Sequence, residues 1–217
     1  MRFDLHRELN PEQCLAASTV EGPVLIIAGA GSGKTRMLTF RIAHMLECGI
    51  APSKILALTF TNKAAKEMAE RIRSLTGMPL KDLLATTFHS FGMRVLKQYI
   101  QYLGYKNNFT IYDSADRQDL LKQVIINLDL DVQDYDLFEL GNLISDIKTK
   151  RSVWNSGASD RLKNIYAEYL KHMKAYNAVD FDDLIRLPVQ LLETDEDCAL
   201  GWRERIGYLL VDEYQDT

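Results

Sequence analysis

The chain has 217 residues, of which 47% are hydrophobic and 26% charged, and its formal net charge is −4. This length suits one large domain or two small ones, and the composition is that of an ordinary soluble globular protein. The acidic balance excludes a globally basic nucleic-acid binder, so any contact with DNA has to come from a local surface.

Export and membrane insertion are not indicated by the sequence. No apolar run approaches the ~20 residues needed to cross a bilayer. The N-terminal stretch MRFDLHRELN has no signal-peptide core. Three scattered cysteines, Cys14, Cys48 and Cys198, fit a reducing compartment without structural zinc. We therefore expect a cytoplasmic protein with no membrane partner.

The first predicted core element is a buried strand over residues 24–28, followed by a glycine-rich turn and a helix that ends near Gly49. In the turn, AGAGSGKT, the glycines allow successive backbone N–H groups to face one anion, and the helix N-terminus adds its positive end. Lys34 would reach the outer phosphates and the Thr35 hydroxyl would bind Mg²⁺. The pattern departs from GxxxxGK[ST] only at Ala28. A plain flexible loop is the alternative. The predicted phosphate-binding residues are Ala28, Gly29, Ala30, Gly31, Ser32, Gly33, Lys34 and Thr35.

Two further strands are predicted over residues 54–60 and 83–91, separated by a helix with Asn62 as its N-cap and Gly77 just past its end. Strands that alternate with helices indicate right-handed βαβ units and a parallel sheet.

Beyond His89 the strand pattern disappears for more than a hundred residues, and helical stretches replace it. They are predicted over residues 91–103, 114–128, 135–149, 159–176 and 181–193. We therefore predict a helical insertion domain, residues 91–206, within an incomplete sheet domain formed by residues 1–90 and 207–217.

The last ten residues, YLLVDEYQDT, predict a short buried strand over residues 208–211 with Asp212 and Glu213 at its C-terminal edge. Paired acids at that edge typically hold a metal or a water, although a solvated acidic tail is the alternative. Beside a phosphate-binding loop, Asp212 would hold Mg²⁺ and Glu213 would be the general base for the attacking water.

Three other charged stretches are interpreted as structural rather than functional. Asp180, Asp182 and Asp183 suggest a metal site, but their pattern is better read as an N-capped helix start. The aspartates of DLDVQDYD lack the glycine and closing glutamate of a calcium loop, which favours an exposed acidic turn. Residues 148–151, KTKR, could touch duplex DNA, but a solvated helix end is the preferred interpretation.

Six stretches occur in a characteristic order along the chain: LNPEQCLAA, AGAGSGKTR, LTFTNKAAKEM, TTFHSF, VDFDDLI and LLVDEYQDT. Together they closely resemble the UvrD/Rep/PcrA family of superfamily 1 DNA helicases, over essentially the whole chain. The resemblance implies an α/β fold, with a RecA-like P-loop NTPase sheet, an inserted all-helical domain and a second RecA-like domain beyond Thr217. It also implies ATP and Mg²⁺ as cofactors, with 3′ to 5′ movement on single-stranded DNA, unwinding of duplex DNA and unidentified repair or replication proteins as partners.

Several site residues are implied by that resemblance alone. Gln13 would read the adenine edge and Arg36 would stack on the ring, whereas both are surface residues on the alternative interpretation. Phe60 would stack on a DNA base and Thr61 and Asn62 would bind the phosphate backbone. His89 would contact DNA from a similar position. The alternatives are a buried core aromatic for Phe60 and a core or capping residue for His89.

Two other functions remain open from the sequence. The same early motifs occur in the helicase part of a helicase–nuclease. A nucleotide-gated DNA-binding module that does not unwind DNA belongs to a different class. Sequence beyond residue 217 would separate them.

Overall fold

The computed structural model describes residues 3–154 and 159–216. Outside the described residues lie Met1, Arg2, residues 155–158 and Thr217, so the first and last residues of the predicted sheet domain are not described. The chain divides into two compact units. The first contains Met1–Phe88 and Leu200–Thr217, and the second contains His89–Ala199. Within the described ranges, no helix is both long and apolar enough to cross a membrane.

The described secondary structure mixes helices with short strands. The helices are α1 (Leu5–Glu8), α2 (Pro11–Ser18), α3 (Lys34–Glu47), α4 (Asn62–Thr76), α5 (Phe88–Tyr99), α6 (Ser114–Asn127), α7 (Leu137–Lys148), α8 (Asp160–Ala175), α9 (Asp183–Thr194) and α10 (Glu196–Arg205). The strands are β1 (Ile55–Thr59), β2 (Leu84–Thr87), β3 (Thr110–Tyr112), β4 (Ala178–Asp180) and β5 (Tyr208–Val211). Short 3-10 turns lie at Pro52–Lys54, Ile100–Leu103, Val132–Asp134 and Tyr214–Asp216.

The first unit is built on a parallel sheet in the order β2-β1-β5. Ala57 in the central strand pairs with Ala85 on one side and Leu210 on the other. All five residues of β1 are buried, because helices and neighbouring strands cover them. The mixed α/β fold with a parallel sheet is therefore confirmed.

The predicted buried strand over residues 24–28 is wrong. Within the described residues this segment belongs to no strand, and Leu25 and Ile27 are 72% and 90% exposed. An extended segment becomes a strand only where a neighbour satisfies its N–H and C=O groups, and none of the five strands pairs with it. Because none of the described strands pairs with its other side, β5 is an edge strand of this sheet. Its Leu210 is buried, whereas Leu209, on the opposite face, is 60% exposed.

Two predicted boundaries also need correction. The strand predicted over residues 83–91 ends at Thr87. Residues 88–91 form the first turn of α5 instead, since the apolar spacing of this stretch continues into the helix. The N-cap of α4 is Thr61, whose hydroxyl accepts a hydrogen bond from Ala64 N–H, and Asn62 is the first helical residue. Gly77 has a left-handed conformation with φ 63° and ends α4 as predicted.

The second unit has a core formed by apolar faces of α6, α7 and α8, centred on Leu121, Ile144 and Tyr169. The prediction that this region lacks strands is wrong, because β3 and β4 pair in parallel, with Tyr112 opposite Asp180. Each of these strands has only three residues, too few to produce a recognisable alternation. α10 was not predicted either.

Candidate nucleotide and DNA sites

The glycine-rich turn lies directly before α3, which begins at Lys34. Gly31 and Gly33 have φ of 74° and 85°, in the left-handed region that favours glycine. At Gly33 a Cβ would also lie 3.0 Å from Gln13 Nε2, so a larger residue there would have to displace the end of that side chain. The N-terminus of the 14-residue α3, with its positive end and unpaired N–H groups, therefore opens onto the turn.

The Lys34 ammonium folds back over this turn. Its Nζ donates to the carbonyl oxygens of Ala28 and Gly29, both at 3.1 Å. No carboxylate among the described residues forms an ion pair with it. An anion that entered the turn would therefore compete only with two neutral carbonyls for the ammonium charge.

The two distant ends of the sequence meet at Thr35 and Asp212. The Thr35 hydroxyl donates to Asp212 Oδ2 at 3.2 Å, across 177 residues of sequence. Asp212 is only 6% exposed, and its N–H donates to Leu58 O at 2.9 Å, which is the last hydrogen bond of the β1–β5 pairing. A hydroxyl and a carboxylate oxygen are donors of the type that Mg²⁺ takes beside substrate phosphates, so the pair fits a magnesium site.

Glu213 follows Asp212 in a left-handed conformation with φ 53°, which is unusual for a residue other than glycine. Its N–H donates to Asp212 Oδ1 at 3.2 Å, and its Oε2 accepts from Gln215 Nε2 at 2.5 Å. Lys34, Asp212 and Glu213 line one cavity of about 530 Å³ in the first unit. The predicted phosphate-binding ammonium, metal-binding carboxylate and general base thus line the same cavity.

Gln13 and Arg36 lie near the turn, but their polar groups are already engaged. Gln13 Nε2 donates to Ser32 O at 2.8 Å, while its Oε1 accepts from Asn10 N–H in the capping box of α2. Arg36 donates to the backbone oxygen of Glu8 at 2.9 Å and to its carboxylate at 2.8 Å. Neither side chain is placed around an adenine pocket by these contacts.

Phe60, Thr61 and Asn62 follow the C-terminal end of β1. Because β1 and β5 are parallel and Leu58 pairs with Val211, these residues leave the sheet at the same edge as Asp212. Phe60 is 44% exposed, with its ring centroid 5.6 Å from that of Phe88, so it is not a buried core aromatic. Thr61 and Asn62 are exposed as well.

In the second unit, His89 is an exposed residue in the first turn of α5. Its ring centroid lies 5.5 Å from that of Phe181, which is 59% exposed. Phe181 is not among the predicted site residues, although a large apolar residue flanked by aspartates in VDFDDLI is a signal for one.

The aspartates beside Phe181 form a buried ion-pair cluster, which we call the Lys148 cluster: Lys148, Tyr169, Asp180, Asp183 and Arg186. Lys148 Nζ lies 2.7 Å from both Asp180 Oδ2 and Asp183 Oδ2. The interpretation of KTKR as a solvated helix end is therefore wrong for Lys148, which is 3% exposed. The ammonium occupies the place between the carboxylates that a cation would take, and no metal-binding group of three or more acids, histidines or cysteines occurs in the described ranges.

Charge and burial compete within the Lys148 cluster. Burial raises the pKa of Asp183, although Lys148 opposes the shift. Burial acts in the same direction on Asp180, but there the Lys148 ammonium and the hydrogen bonds from Lys148, the Asp183 N–H and Tyr169 prevail and hold the pKa below its ordinary value. Tyr169, which donates to Asp180 at 2.9 Å, has its pKa raised by burial and by the two aspartates. Asp183 N–H donates to Asp180 Oδ1, so Asp180 supports the start of α9 as a capping residue would.

The acidic run of DLDVQDYD has a structural role. Asp131 caps a short 3-10 turn, and Asp136 accepts hydrogen bonds from Phe138 and Glu139 at the start of α7. Both side chains satisfy backbone donors at helix starts. The acidic turn predicted here accordingly contributes caps to the second unit.

The family model and the individual relatives that match this chain point to the same protein family. The model of the UvrD/REP helicase N-terminal domain matches residues 9–217. The chain is 43% identical over 217 residues to the ATP-dependent DNA helicase Rep of Escherichia coli and 42% identical to that of Salmonella typhimurium, covering 96% of this chain and 32% of each relative. It is 40% identical over 218 residues to the ATP-dependent DNA helicase PcrA of Leuconostoc citreum, covering 96% of this chain and 29% of that relative. The chain thus spans about a third of the length of these relatives, and it belongs to the UvrD/REP helicase N-terminal domain family.

Proposed function

We propose that this chain is the N-terminal ATP-binding part of an ATP-dependent DNA helicase that moves 3′ to 5′ on single-stranded DNA and unwinds duplex DNA in replication or repair. The observation that carries the proposal is the hydrogen bond between Thr35 and Asp212, which joins the phosphate-binding turn to the terminal acids. The printed names of the relatives, DNA helicases that depend on ATP, agree with this assignment.

In this proposal the first unit is a RecA-like P-loop domain and the second is a helical domain inserted into it. The backbone from Ala28 to Gly33 holds the phosphates of ATP, and Lys34 leaves its two carbonyl partners to bind them. Thr35 and Asp212 hold Mg²⁺, which neutralises charge on the phosphates when it is bound. Gln13 and Arg36 exchange their present partners for the adenine ring.

Hydrolysis requires a base beside the terminal phosphate. Glu213 is next to the proposed metal ligand and lines the same cavity as Lys34, so it can take a proton from an attacking water. Its carboxylate also accepts a hydrogen bond from the Gln215 amide. An arginine from a second RecA-like domain, in a longer polypeptide, would complete the charge stabilisation of the transition state.

DNA contacts come from two local surfaces, since the chain as a whole is acidic. In the first unit, Phe60 stacks on a base while Thr61 and Asn62 bind phosphates. In the second unit, His89 and Phe181 present an exposed pair of rings. Stacking on aromatic rings suits binding without sequence preference, because every base has a π face.

Nucleotide titration tests the proposal. Mg·ATP should bind the chain measurably, and Lys34→Ala should abolish binding in isothermal titration calorimetry, because the turn loses its only side-chain ammonium. Lys66→Ala, which removes an exposed lysine of α4 in the same unit, is the matched control and should bind as the wild type does. Equal binding by Lys34→Ala and Lys66→Ala would reject the nucleotide site.

A further inference from the structure

The backbone on both sides of Phe181 is fixed by the Lys148 cluster. Asp180 ends β4 and Asp183 begins α9, so only Phe181 and Asp182 lie between the two anchors. The anchors exchange backbone hydrogen bonds: Asp183 N–H donates to Asp180 Oδ1 at 3.0 Å, and Asp180 N–H donates to Asp183 Oδ2 at 3.3 Å. The turn that carries Phe181 is therefore closed by its own side chains.

Three further side chains hold these anchors from other elements. Lys148, the last residue of α7, contacts both carboxylates at 2.7 Å. Tyr169 of α8 donates to Asp180 at 2.9 Å, and Arg186 donates to Asp183 Oδ1 at 2.8 Å. Two cations face two carboxylates, so the cluster has no net charge. The position of the turn is thus set by β4, α7, α8 and α9 together.

Such a cluster is a poor device for stability alone. Removing a lysine and two aspartates from water carries a large desolvation cost, and apolar side chains of similar volume often serve stability equally well. What buried charged groups do supply is a defined geometry, because their hydrogen bonds tolerate little displacement. The part of this turn that remains in solvent is Phe181, 59% exposed beside the His89 ring.

We propose that Lys148, Asp180 and Asp183 are positioning residues for DNA binding, which hold the Phe181 ring beside His89 as a fixed stacking surface for a nucleobase. The inference rests on the proposed function, because it assigns a rigid support to one of the proposed DNA contacts. A stacking ring that is fixed before binding loses less conformational freedom when the base arrives, so its support contributes to affinity.

A double-mutant cycle between Phe181→Ala and Asp183→Asn tests this in the longer polypeptide, with fluorescence anisotropy of labelled (dT)₁₆ as the readout. Phe181→Ala should weaken binding by roughly tenfold. Asp183→Asn should weaken it by a similar factor, and the double variant should be no weaker than Phe181→Ala within about twofold, because both changes act on one contact. Phe138→Ala, which removes an equally exposed phenylalanine of the same unit, is the control and should bind normally.

Circular dichroism identifies variants that fail to fold. If Asp183→Asn is unfolded, Tyr169→Phe takes its place in the cycle, since it removes one hydrogen bond to Asp180 and leaves the charges intact. A full additional loss in the Phe181→Ala background would overturn the inference and assign the cluster to general stability. Wild-type affinity in the folded cluster variant that enters the cycle would overturn it as well. A Phe181→Ala variant that binds like Phe138→Ala would remove the Phe181 contact and the inference with it, whereas a wild type that binds no DNA would reject the proposed function itself.

Discussion

Replacing Glu213 by glutamine in the longer polypeptide should leave Mg·ATP binding nearly unchanged and reduce kcat for ATP hydrolysis by about 10²–10⁴-fold. The amide keeps the shape and the hydrogen bond to Gln215 but cannot accept a proton from water. Asp212 and Thr35 remain in place to hold the metal. Binding should be measured by calorimetry and turnover by phosphate release.

The matched control is Glu70→Gln, which neutralises an exposed acid of α4 in the same unit. It should bind and hydrolyse ATP like the wild type. If Glu213→Gln turned over ATP within about threefold of the wild type, another residue would activate the water and the assignment of the base would be wrong.

The second large effect concerns residues 1–217 as an isolated chain. We expect it to bind nucleotide but to unwind no DNA and to show barely measurable DNA-stimulated ATPase activity. An arginine supplied by a second domain is typically worth about 10³–10⁵ in rate. With a net charge of −4 and few DNA-contacting groups, the isolated chain should also hold DNA weakly and lose it readily as salt increases.

Strand separation of a labelled duplex, measured side by side for the isolated chain and the longer polypeptide, gives the comparison. Calorimetry with Mg·ATP on the same preparation shows that the isolated chain is folded and competent to bind. Robust strand separation by residues 1–217 would show that the proposed motor does not need a second domain.

Local patterns were sufficient where the chemistry is local. The glycine-rich turn, the start of α3 and the acids after β5 are contiguous segments whose residue types indicate their conformation. In the structure Lys34, Asp212 and Glu213 line one cavity, and the Thr35 hydroxyl donates to Asp212. The parallel sheet was predictable for the same reason, since strands that alternate with helices leave few other topologies.

The remaining features depend on partners that a local pattern does not contain. Residues 24–28 have the composition of a buried strand but are exposed, because strand formation depends on a neighbour as well as on composition. The charged run around Lys148 is typical of a solvated helix end, but Lys148 is buried because it contacts Asp180 at the end of β4 and Asp183 at the start of α9. Phe181 became a candidate contact only when the fold placed it beside His89.

The central claim is that Thr35 and Asp212 together hold Mg²⁺ for a bound nucleotide. Its most direct test is the affinity for ADP with Mg²⁺ and with EDTA, measured by calorimetry for the wild type, Asp212→Asn and the exposed-site control Asp82→Asn. Asparagine keeps the size of the side chain and one oxygen that can accept the Thr35 hydrogen bond, while its amide group replaces the oxygen that accepts from Glu213 N–H and the metal ligand is weakened. We expect Mg²⁺ to strengthen ADP binding roughly tenfold or more in the wild type and in Asp82→Asn, but not in Asp212→Asn. An undiminished effect of Mg²⁺ in Asp212→Asn would contradict it.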